Sequence, residues 1–482
     1  MSSASRRTFL KAMAGAAAGT AAAPLVLSAA AKGVSDTVRL AVAGLHYRGP
    51  DLIKRFRTVP GVRLVGLSDV DRALLDAAMK QAGDGGVRGE TDVRRFLDAP
   101  DVDAVVLATP DHWHALQAVW ACQAGKDVYV EKPVSHNVWE GRQMLAAVEK
   151  YGRIVASGMQ NRSCTGLREA YAWLKEGHLG RIRTAYGRDY PGRKGIGRVD
   201  GPQRPPATVD FDLFRGPAPL EPPRRQTFHY DWHWFWDTGT GDCGNRGVHT
   251  FDHTRWLMGE TGLPRRVISI GGRFGWDDDG ETPNTQITLF DYEPAPMLWE
   301  MFSLPGGQGK EPGRIFHRLG GSMVLMCENG YLCGWRGGGH ALDADRQVVR
   351  RFKGDGGQGH YANFIEAVRS RKAEGLRAPL RAGHVSSVLC HAANVSWRLG
   401  RRVSPEEARR AVADHAVLAA ALDRMIANLE ANGVDLSTTP LALGPWVGID
   451  RETERFTGEA ADLANLYHRR TYRRPFVLPV EV

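Results

Sequence analysis

Two clusters of polar residues in this chain have the types and spacing of a reaction site. The first is the pair Glu131-Lys132, which follows the apolar stretch 127–130 and precedes Pro133. Valine and tyrosine in that stretch predict a short buried strand, and proline ends it because it cannot donate to a sheet. Open parallel sheets bind ligands at the carboxyl ends of their strands. A lysine there is either a solvated strand-end charge or a group that stabilises charge developing on a substrate oxygen.

The second cluster combines aromatic rings with polar side chains. The run 229–237 includes Trp232 and is followed by Asn245, His249 and Asp252. Rings at this density form a core belt or, with polar neighbours, a surface on which sugar rings stack. Helical spacing puts Asn245 one turn before His249 and puts Asp252 on the same face. The spacing leaves open whether His249 belongs to a reaction site or is a buried structural histidine, and whether Asp252 orients its ring or caps a neighbouring element.

The residues before the first cluster predict a nucleotide site. A buried first strand runs into Gly44, and Gly49 completes the outer positions of a G-x-G-x-x-G turn that has His46 at its centre. Asp69 ends the next strand 25 residues after Gly44, near the spacing of about 20 for the acid that binds the adenosine ribose. A carboxylate there repels a 2′-phosphate and favours NAD over NADP, whereas the nearby Arg72 keeps NADP open.

Other strand ends carry polar residues toward the same edge. A third strand leads into the stretch 109–114, and a later one leads into 159–162. This strand–helix alternation predicts a parallel, doubly wound sheet of Rossmann type, whose carboxyl ends meet in one crevice. We interpret His112 and His114 as part of a wall beside the nicotinamide and a helix cap. No acidic or sulfur ligands accompany them at metal spacing, so no metal site is predicted.

Three motifs resemble those of one oxidoreductase family. TPDHWHA at 109–115, AGKDVYVEKP at 124–133 and GMQNR at 158–162 resemble, in order and spacing, the Gfo/Idh/MocA family of glucose–fructose oxidoreductase and inositol dehydrogenase. The resemblance implies that Lys132 is the catalytic lysine and that His249 removes a hydroxyl proton while hydride passes to a nicotinamide. It also implies that Asn245 stands where the family has an aspartate. Asparagine can orient a hydroxyl but takes no proton at neutral pH.

The candidate site residues form three groups. The catalytic candidates are Lys132, His249 and Asn245. The residues predicted to bind the cofactor are Gly44, His46, Tyr47, Gly49, Asp69, Arg72, Thr109, Pro110, His112, His114, Glu131, Lys132, Gln160 and Arg162. The residues predicted to contact the substrate are Lys132, Arg162, Tyr190, Trp232, Asn245 and His249.

The rest of the chain predicts a second, α+β domain. Strand-like runs separated by turns, without intervening helices, begin near residue 267 and favour an open, mainly antiparallel sheet. The expected domains are a Rossmann domain at 34–162, a substrate-binding and dimerisation domain at 163–435, and an extended arm at 436–482. The Gly- and Pro-rich stretch 190–223 is interpreted as a loop over the active site or as a subunit contact. A homodimer or homotetramer is expected.

The amino terminus resembles a twin-arginine export signal. SRRTFLK at 5–11 precedes an Ala- and Gly-rich apolar segment, which predicts a signal peptide at 1–33, the Tat machinery as a partner and a periplasmic location. The 63 basic and 54 acidic residues give a net charge of +9 without a long basic run. The charge pattern therefore does not indicate a nucleic-acid partner. The six cysteines contain no C-x-x-C pair.

Three functions remain open from the sequence. The first is an exported NAD(P)-dependent oxidoreductase acting on a sugar, a glycoside or a cyclic polyol. Its nucleotide should be tightly bound, because free nicotinamide nucleotide is scarce outside the cytoplasm. The second is a glycoside hydrolase or lyase that oxidises its substrate transiently with no net redox change. The third is a sugar-binding protein with structural NAD, suggested by His46 and Asn245 at positions where the motifs have glycine and aspartate.

Overall fold

A parallel sheet forms the centre of the first domain. The structure, a computed structural model, describes residues 37–83, 85–305 and 319–482, so the signal predicted at 1–33 lies outside it. The strands of this sheet are β1 (Val38–Ala43), β2 (Val62–Ser68), β3 (Arg88–Glu90), β4 (Ala104–Leu107), β5 (Asp127–Val130) and β6 (Val155–Ser157). Their order is β3-β2-β1-β4-β5-β6, and all neighbours are parallel. The predicted doubly wound sheet is confirmed.

Helices cover both faces of this sheet. They are α1 (Arg48–Arg57), α2 (Arg72–Ala82), α3 (Arg94–Leu97), α4 (Asp111–Gln123) and α5 (Val138–Tyr151). Local chemistry sets several ends: the Asp71 side chain accepts the Ala73 N–H at the start of α2, and Asn137 accepts the Glu140 N–H at the start of α5. Gly152, with φ +59°, ends α5 in the left-handed conformation.

Alternate residues of the strands supply two apolar layers. On β1, Ala41 and Ala43 pack toward α4 and α5, while Leu40 and Val42 pack toward α1. Distant parts of the chain complete both layers. Helix α9 (His360–Ser370) contributes to the α1 side, and Phe476 near the carboxyl terminus contributes to the other. The first domain therefore depends on residues far outside the predicted range 34–162.

The second domain is built on a large mixed sheet. Its strands are β7 (Ile182–Asp189), β8 (Arg266–Gly272), β9 (Thr285–Phe290), β10 (Met297–Phe302), β11 (Met323–Cys327), β12 (Gly330–Trp335), β13 (Gly338–Asp343), β14 (Val348–Lys353), β15 (Arg401–Val403), β16 (Leu441–Leu443), β17 (Val447–Ile449) and β18 (Phe456–Thr457). The order is β14-β13-β12-β11-β7-β10-β9-β8-β16-β15, with β17 pairing both β8 and β18. Among the described strands β7 and β10 are parallel, and the other pairs are antiparallel, so the mainly antiparallel sheet is confirmed.

The remaining helices pack on the two faces of this sheet. They are α6 (Thr165–Lys175), α7 (Phe211–Arg215), α8 (Val248–Leu257), α9, α10 (Leu380–Arg398), α11 (Pro405–Ala411), α12 (Ala416–Ala431) and α13 (Ala461–Asn465). One apolar layer lies under α6, α8 and α10, and the other lies under α11 and α12. Short 3₁₀ helices lie at Gln160–Ser163, Asp231–Trp234 and Ala373–Gly375, and a π-helix lies at Cys243–Gly247.

The structure differs from the sequence prediction in three places. The apolar pattern at 404–432, which by itself predicts one helix, forms two helices, α11 and α12, because the chain turns at 412–415 between them. The strands β13 and β14 were not predicted. The expected extended arm contains β16, β17, β18 and α13 before its last residues run across the first domain.

Candidate functional site

One cavity of about 310 Å³ opens at the carboxyl ends of the first sheet, where the second domain covers it. We call it the crevice. It is lined from the first domain by residues that include Gly44, His46, Tyr47, Arg48, Asp69, Thr109, Pro110, Asp111, His114, Glu131, Lys132 and Gln160, and from the second by residues that include His229, Trp232, His233, Asn245, His249 and Arg336. Thirteen of the sequence-predicted residues lie in this lining. Gly49, Arg72, His112, Arg162 and Tyr190 lie outside it.

The glycine turn after β1 is shaped for close backbone approach. Gly44 has φ +86°, and a Cβ on it would lie 2.4 Å from the carbonyl oxygen of Ala108. A Cβ on Gly49 would lie 1.9 Å from the Gly44 oxygen. Both outer glycines are thus required by packing of main chain on main chain. His46, at the central position, is exposed, and its ring stacks on His229 with centroids 5.1 Å apart.

Asp69 lies at the end of β2, where a dinucleotide fold needs its ribose-binding acid. Its carboxylate accepts the N–H of Leu45 at 2.6 Å and that of Asp71 at 2.9 Å. Burial raises the pKa of Asp69, and these two backbone donors oppose that shift. Arg72 begins α2 with an exposed side chain outside the crevice, so the described contacts add nothing in favour of NADP.

A strap from the second domain closes the Asp69 end of the crevice. We define the strap as residues 206–234. Val209 forms a β-bridge with Asp71, and the Arg72 N–H donates to the Thr208 oxygen at 2.9 Å. The His229 Nε2 lies 2.7 Å from an Asp71 carboxylate oxygen. The stretch 190–223, interpreted from sequence as a loop over the active site or a subunit contact, thus includes chain that is hydrogen-bonded to the start of α2.

Glu131 belongs to a buried charge network. Arg48 Nε donates to its carboxylate at 2.9 Å, and Gln160 Nε2 donates to the same oxygen at 3.1 Å. Arg48 also contacts Asp51 and donates to the Tyr361 hydroxyl. Burial alone would raise the pKa of Glu131, but Arg48 and Lys132 bring it below its usual value. Sequence reasoning missed Arg48, whose signal was a basic residue inside the glycine turn.

Lys132 reaches across the crevice to the second domain. Its ammonium donates to the main-chain oxygen of Asn245 at 2.8 Å and to the Asn245 side-chain oxygen at 3.3 Å. Burial lowers the pKa of Lys132, and the carboxylates of Glu131 and Asp111 oppose that shift. The two sequence clusters, separated by more than a hundred residues, meet at this hydrogen bond.

The π-helix Cys243–Gly247 presents Asn245 to the lysine. Its widened turn is a feature often found at functional sites. Gly244 permits the turn, because a Cβ there would lie 1.9 Å from the Thr240 hydroxyl. The α-helix α8 follows directly and carries His249. The helical spacing expected from Asn245 onward is therefore realised only from Val248.

His249 faces the crevice as an uncharged imidazole. Burial, followed by Lys132, lowers its pKa well below 6.5. Its Nδ1 is buried and has no hydrogen-bond partner among the described residues. Asp252 does not orient this ring: it binds Arg162 at 2.8 Å and accepts the Ser386 hydroxyl at 2.9 Å. A neutral histidine with an unsatisfied nitrogen beside a lysine can accept a proton from a bound hydroxyl.

Several predicted residues hold the walls of the site from outside the crevice. His112 lies buried between the main-chain oxygens of Phe214 at 3.0 Å and Thr238 at 3.2 Å, and so ties α4 to the second domain. The Tyr190 hydroxyl donates to Glu300 at 3.0 Å. Trp232 does line the crevice, and its ring stacks on His233 with centroids 3.6 Å apart.

Two further features of the described residues concern metal binding and membrane spans. Among the described residues, no group of three His, Cys, Asp or Glu side chains is placed to hold a metal ion. No helix in residues 37–83, 85–305 and 319–482 is both long and apolar enough to cross a bilayer.

The fold and the crevice define a two-domain dinucleotide-binding protein with a lysine–histidine site. Residues 38–159 match the family described as "Oxidoreductase family, NAD-binding Rossmann fold", and residues 193–272 match "Oxidoreductase family, C-terminal alpha/beta domain". Both segments are therefore similar to the Gfo/Idh/MocA oxidoreductase family, which the motifs also resemble. The first domain is an NAD-binding Rossmann fold, and Gly44 and Asp69 are arranged as such a cofactor requires.

Curated relatives resemble part of the chain. A glycosyl hydrolase family 109 protein of Shewanella baltica is 31% identical over 171 residues, which are 30% of this chain and 37% of the relative. Levoglucosan dehydrogenase of Pseudarthrobacter phenanthrenivorans is 26% identical over 212 residues, 42% of this chain and 47% of the relative. The matches thus span less than half of either relative.

Solved structures share the fold over more of the chain. The WlbA dehydrogenase of Bordetella pertussis, solved in complex with NADH and UDP-GlcNAcA, aligns with a TM-score of 0.54 at 20% identity. The alignment covers 74% of this chain and 95% of that one. At this identity the likeness concerns the fold.

Proposed function

We propose that the protein is an NAD-dependent oxidoreductase that transfers hydride from a sugar, a glycoside or a cyclic polyol. The observation that carries the proposal is the hydrogen bond from Lys132 to Asn245 beside the uncharged His249, in the crevice that also contains Gly44 and Asp69. The same cavity is thus lined by the glycine turn of a nucleotide-binding fold and by an acid–base pair. The names of the levoglucosan dehydrogenase and WlbA relatives support a carbohydrate substrate.

The residues divide the chemistry between them. Bound NAD supplies the hydride acceptor. His249 accepts the proton of the reacting hydroxyl, and the Lys132 ammonium stabilises the negative charge that develops on that oxygen. Asn245 holds the lysine through its main-chain oxygen and leaves its amide nitrogen to orient a neighbouring hydroxyl. The Trp232 ring offers a flat apolar face at the crevice wall for the sugar.

Tight retention of the nucleotide is part of the proposal. The strap is joined to the start of α2 by the Val209–Asp71 bridge and by His229, so the adenosine end opens only if these contacts break. Asp69 favours NAD over NADP because its carboxylate repels a 2′-phosphate. We expect the purified protein to carry NAD, identified by absorbance and by mass spectrometry of the released nucleotide. Protein that carries no nucleotide and gains no thermal stability from NAD(H) or NADP(H) would contradict the proposal.

The substrate is found by a panel assay. Levoglucosan, inositols and UDP-sugars are added to nucleotide-loaded protein, and absorbance at the NADH wavelength reports reduction of the bound cofactor. An active compound reduces bound NAD once when no second substrate is present. A compound that stabilises the protein but reduces nothing would support the third function, a sugar-binding protein.

A redox-neutral glycosidase is the second candidate, and the Shewanella relative named as a glycosyl hydrolase favours it. In that function bound NAD would supply a transient hydride acceptor, and His249 and Lys132 would handle the proton and the charge of the oxidised hydroxyl, with no net redox change after the glycosidic bond is cleaved. Release of p-nitrophenol from p-nitrophenyl glycosides, with no net NADH formed, would establish this function. Net reduction by a free sugar would establish the dehydrogenase.

We also propose that the chain is exported through the Tat machinery to the periplasm and acts as a homodimer or homotetramer. The support is the SRRTFLK motif at 5–11 and the large open sheet of the second domain. Changing Arg6 and Arg7 to lysine should leave the protein in the cytoplasmic fraction, and light scattering on the purified protein measures its mass. A periplasmic fraction that persists in the double variant would refute the Tat route.

A further inference from the structure

The ammonium of Lys132 is withdrawn from water and needs negative charge nearby. Two carboxylates act on it, those of Glu131 and Asp111. Glu131 is already paired with Arg48 at 2.9 Å and accepts Gln160 as well. Its charge is therefore largely compensated without the lysine. Asp111 is the carboxylate whose partner remains to be explained.

Asp111 is a buried carboxyl in the crevice wall. It is the first residue of α4, is 3% exposed and lines the same cavity as Lys132. Its Oδ2 accepts the Thr240 hydroxyl at 2.6 Å. No ion pair within 4.0 Å joins it to a lysine or arginine of the described residues. Its neighbour Thr240 and the residue after Lys132 nevertheless pack on the same glycine, because a Cβ on Gly244 would lie 1.9 Å from the Thr240 hydroxyl and 3.3 Å from the Pro133 ring. A buried acid with one neutral side-chain partner is costly unless a charge nearby favours it.

The position of Asp111 is built from both domains. Asn394 on α10 donates to the main-chain oxygen of Thr240 at 2.9 Å, which holds the residue that binds Asp111. The main chain of Gly244 packs directly against the Thr240 side chain, so closely that a Cβ on Gly244 would lie 1.9 Å from the Thr240 hydroxyl. The π-helix that carries Asn245 thus also packs against Thr240 and restricts the position of its hydroxyl.

We propose that Asp111, without a direct ion pair to Lys132, is the carboxylate that supports its ammonium across the crevice wall, and that it supplies from the start of α4 the negative charge that Asn245 does not provide. This inference rests on the proposed function, which places Lys132 at the reacting oxygen. Asp111 acts through the lysine and is therefore a positioning residue: it keeps the ammonium charged and stays a carboxylate during the reaction.

The titration of Asp111 agrees with such a role. Burial raises the pKa of Asp111 to about 7, against the opposing influence of Thr240 and Lys132. The charged groups that face Asp111 are Lys132 and Glu140. Its negative charge also contributes to the raised pKa of the Cys390 thiol. Above about pH 7 the carboxylate supports the ammonium. That support is lost as pH falls through 7 and Asp111 takes up a proton.

The test measures the charge state of Lys132 without a substrate. Full-length protein is exposed to trace acetic anhydride between pH 6 and 11, and mass spectrometry follows acetylation of the peptide that contains Lys132, because only the neutral amine reacts. In Asp111→Asn we expect the midpoint to fall by about one pH unit, the shift typical of losing a neighbouring opposite charge. Adding Asn245→Asp to that variant should return the midpoint toward its original value.

A matched control removes a different carboxylate from the same crevice. Asp92 lines the crevice beyond β3, four strands from β5, which is roughly 19 Å at the usual strand spacing. Asp92→Asn should leave the Lys132 midpoint unchanged. An unchanged midpoint in Asp111→Asn, or an equal fall in Asp92→Asn, would overturn the inference.

Two further measurements keep the outcome decisive. If Asp111→Asn does not fold, Thr240→Val removes the hydroxyl that stabilises the carboxylate, and its Lys132 midpoint should fall in the same direction by less; no fall would refute the inference. NADH fluorescence is recorded for every variant. Loss of nucleotide binding in the unmodified protein would refute the proposed function, whereas the labelling result decides the role of Asp111 independently.

Discussion

The two ends of the crevice are built in different ways. At the nucleotide end, Gly44 and Asp69 act mainly through main-chain geometry, and both belong to one short β1–α1–β2 segment. At the reaction end, Lys132, Asp111 and Asn245 come from two domains, and buried charges hold them together. Backbone shape tolerates changes in neighbouring side chains. A buried ammonium does not, because each missing partner leaves a charge uncompensated.

The sharpest test of this contrast is Lys132→Met. It should lower turnover by about a thousandfold or more, because it removes the cation that stabilises the developing oxyanion. Turnover is measured with whichever compound the panel identifies, and NADH binding should remain. The exposed Lys150→Met is the matched control and should retain full turnover. Turnover that persists in Lys132→Met would show that the reaction does not take place beside Lys132 in this crevice.

His249→Gln should have the next largest effect. Loss of the proton acceptor is expected to lower turnover about a hundredfold, within the usual range for general base catalysis. Combined with Lys132→Met, the two changes should be far from additive, because both residues act on one oxygen. His253→Gln, one turn further along α8 and bonded to Asn161, tests whether disturbing the helix suffices. Equal losses in both histidine variants would assign the effect to packing.

Gly44→Ala tests the nucleotide end. Its Cβ would collide with the Ala108 oxygen, so we expect NADH affinity to fall about tenfold and stability by about 1–3 kcal/mol. Fluorescence titration and thermal unfolding measure the two quantities. Gly83→Ala has a similar φ of +73° but open space around its Cβ, so it should cost some stability and leave NADH affinity unchanged. Normal affinity in Gly44→Ala would show that the turn does not hold the cofactor.

His229→Ala should have the smallest effect. It removes the bond to Asp71 and the stack on His46, and we expect NADH to dissociate a few times faster while turnover chemistry is unchanged. Stopped-flow displacement of NADH measures the rate. The exposed His178→Ala, paired with Glu176 on the surface, should not alter it. An unchanged rate in His229→Ala would mean that the strap does not retain the nucleotide.

The nucleotide end was predicted closely because its signals are local. Gly44, Gly49 and Asp69 each follow from a turn or a strand end, and the structure places them accordingly. Arg48 was missed, since its partner Glu131 lies on a strand more than eighty residues away. Arg162 was placed in the site from its motif, yet its side chain turns to Asp252. Motif spacing specifies the position of a residue along the backbone. It does not specify which partner its side chain contacts.

The sequence by itself determined the class of fold, the strand ends that carry polar groups and the absence of an aspartate at position 245. Alternating apolar residues and turn glycines encode these features over a few residues each. Only the tertiary structure decided that Asn245 meets Lys132 through its main-chain oxygen, that the His249 Nδ1 finds no partner among the described residues and that Asp111 lines the same crevice as the lysine. Such contacts depend on how two domains close, and the burial that follows sets the charges of the groups they bring together.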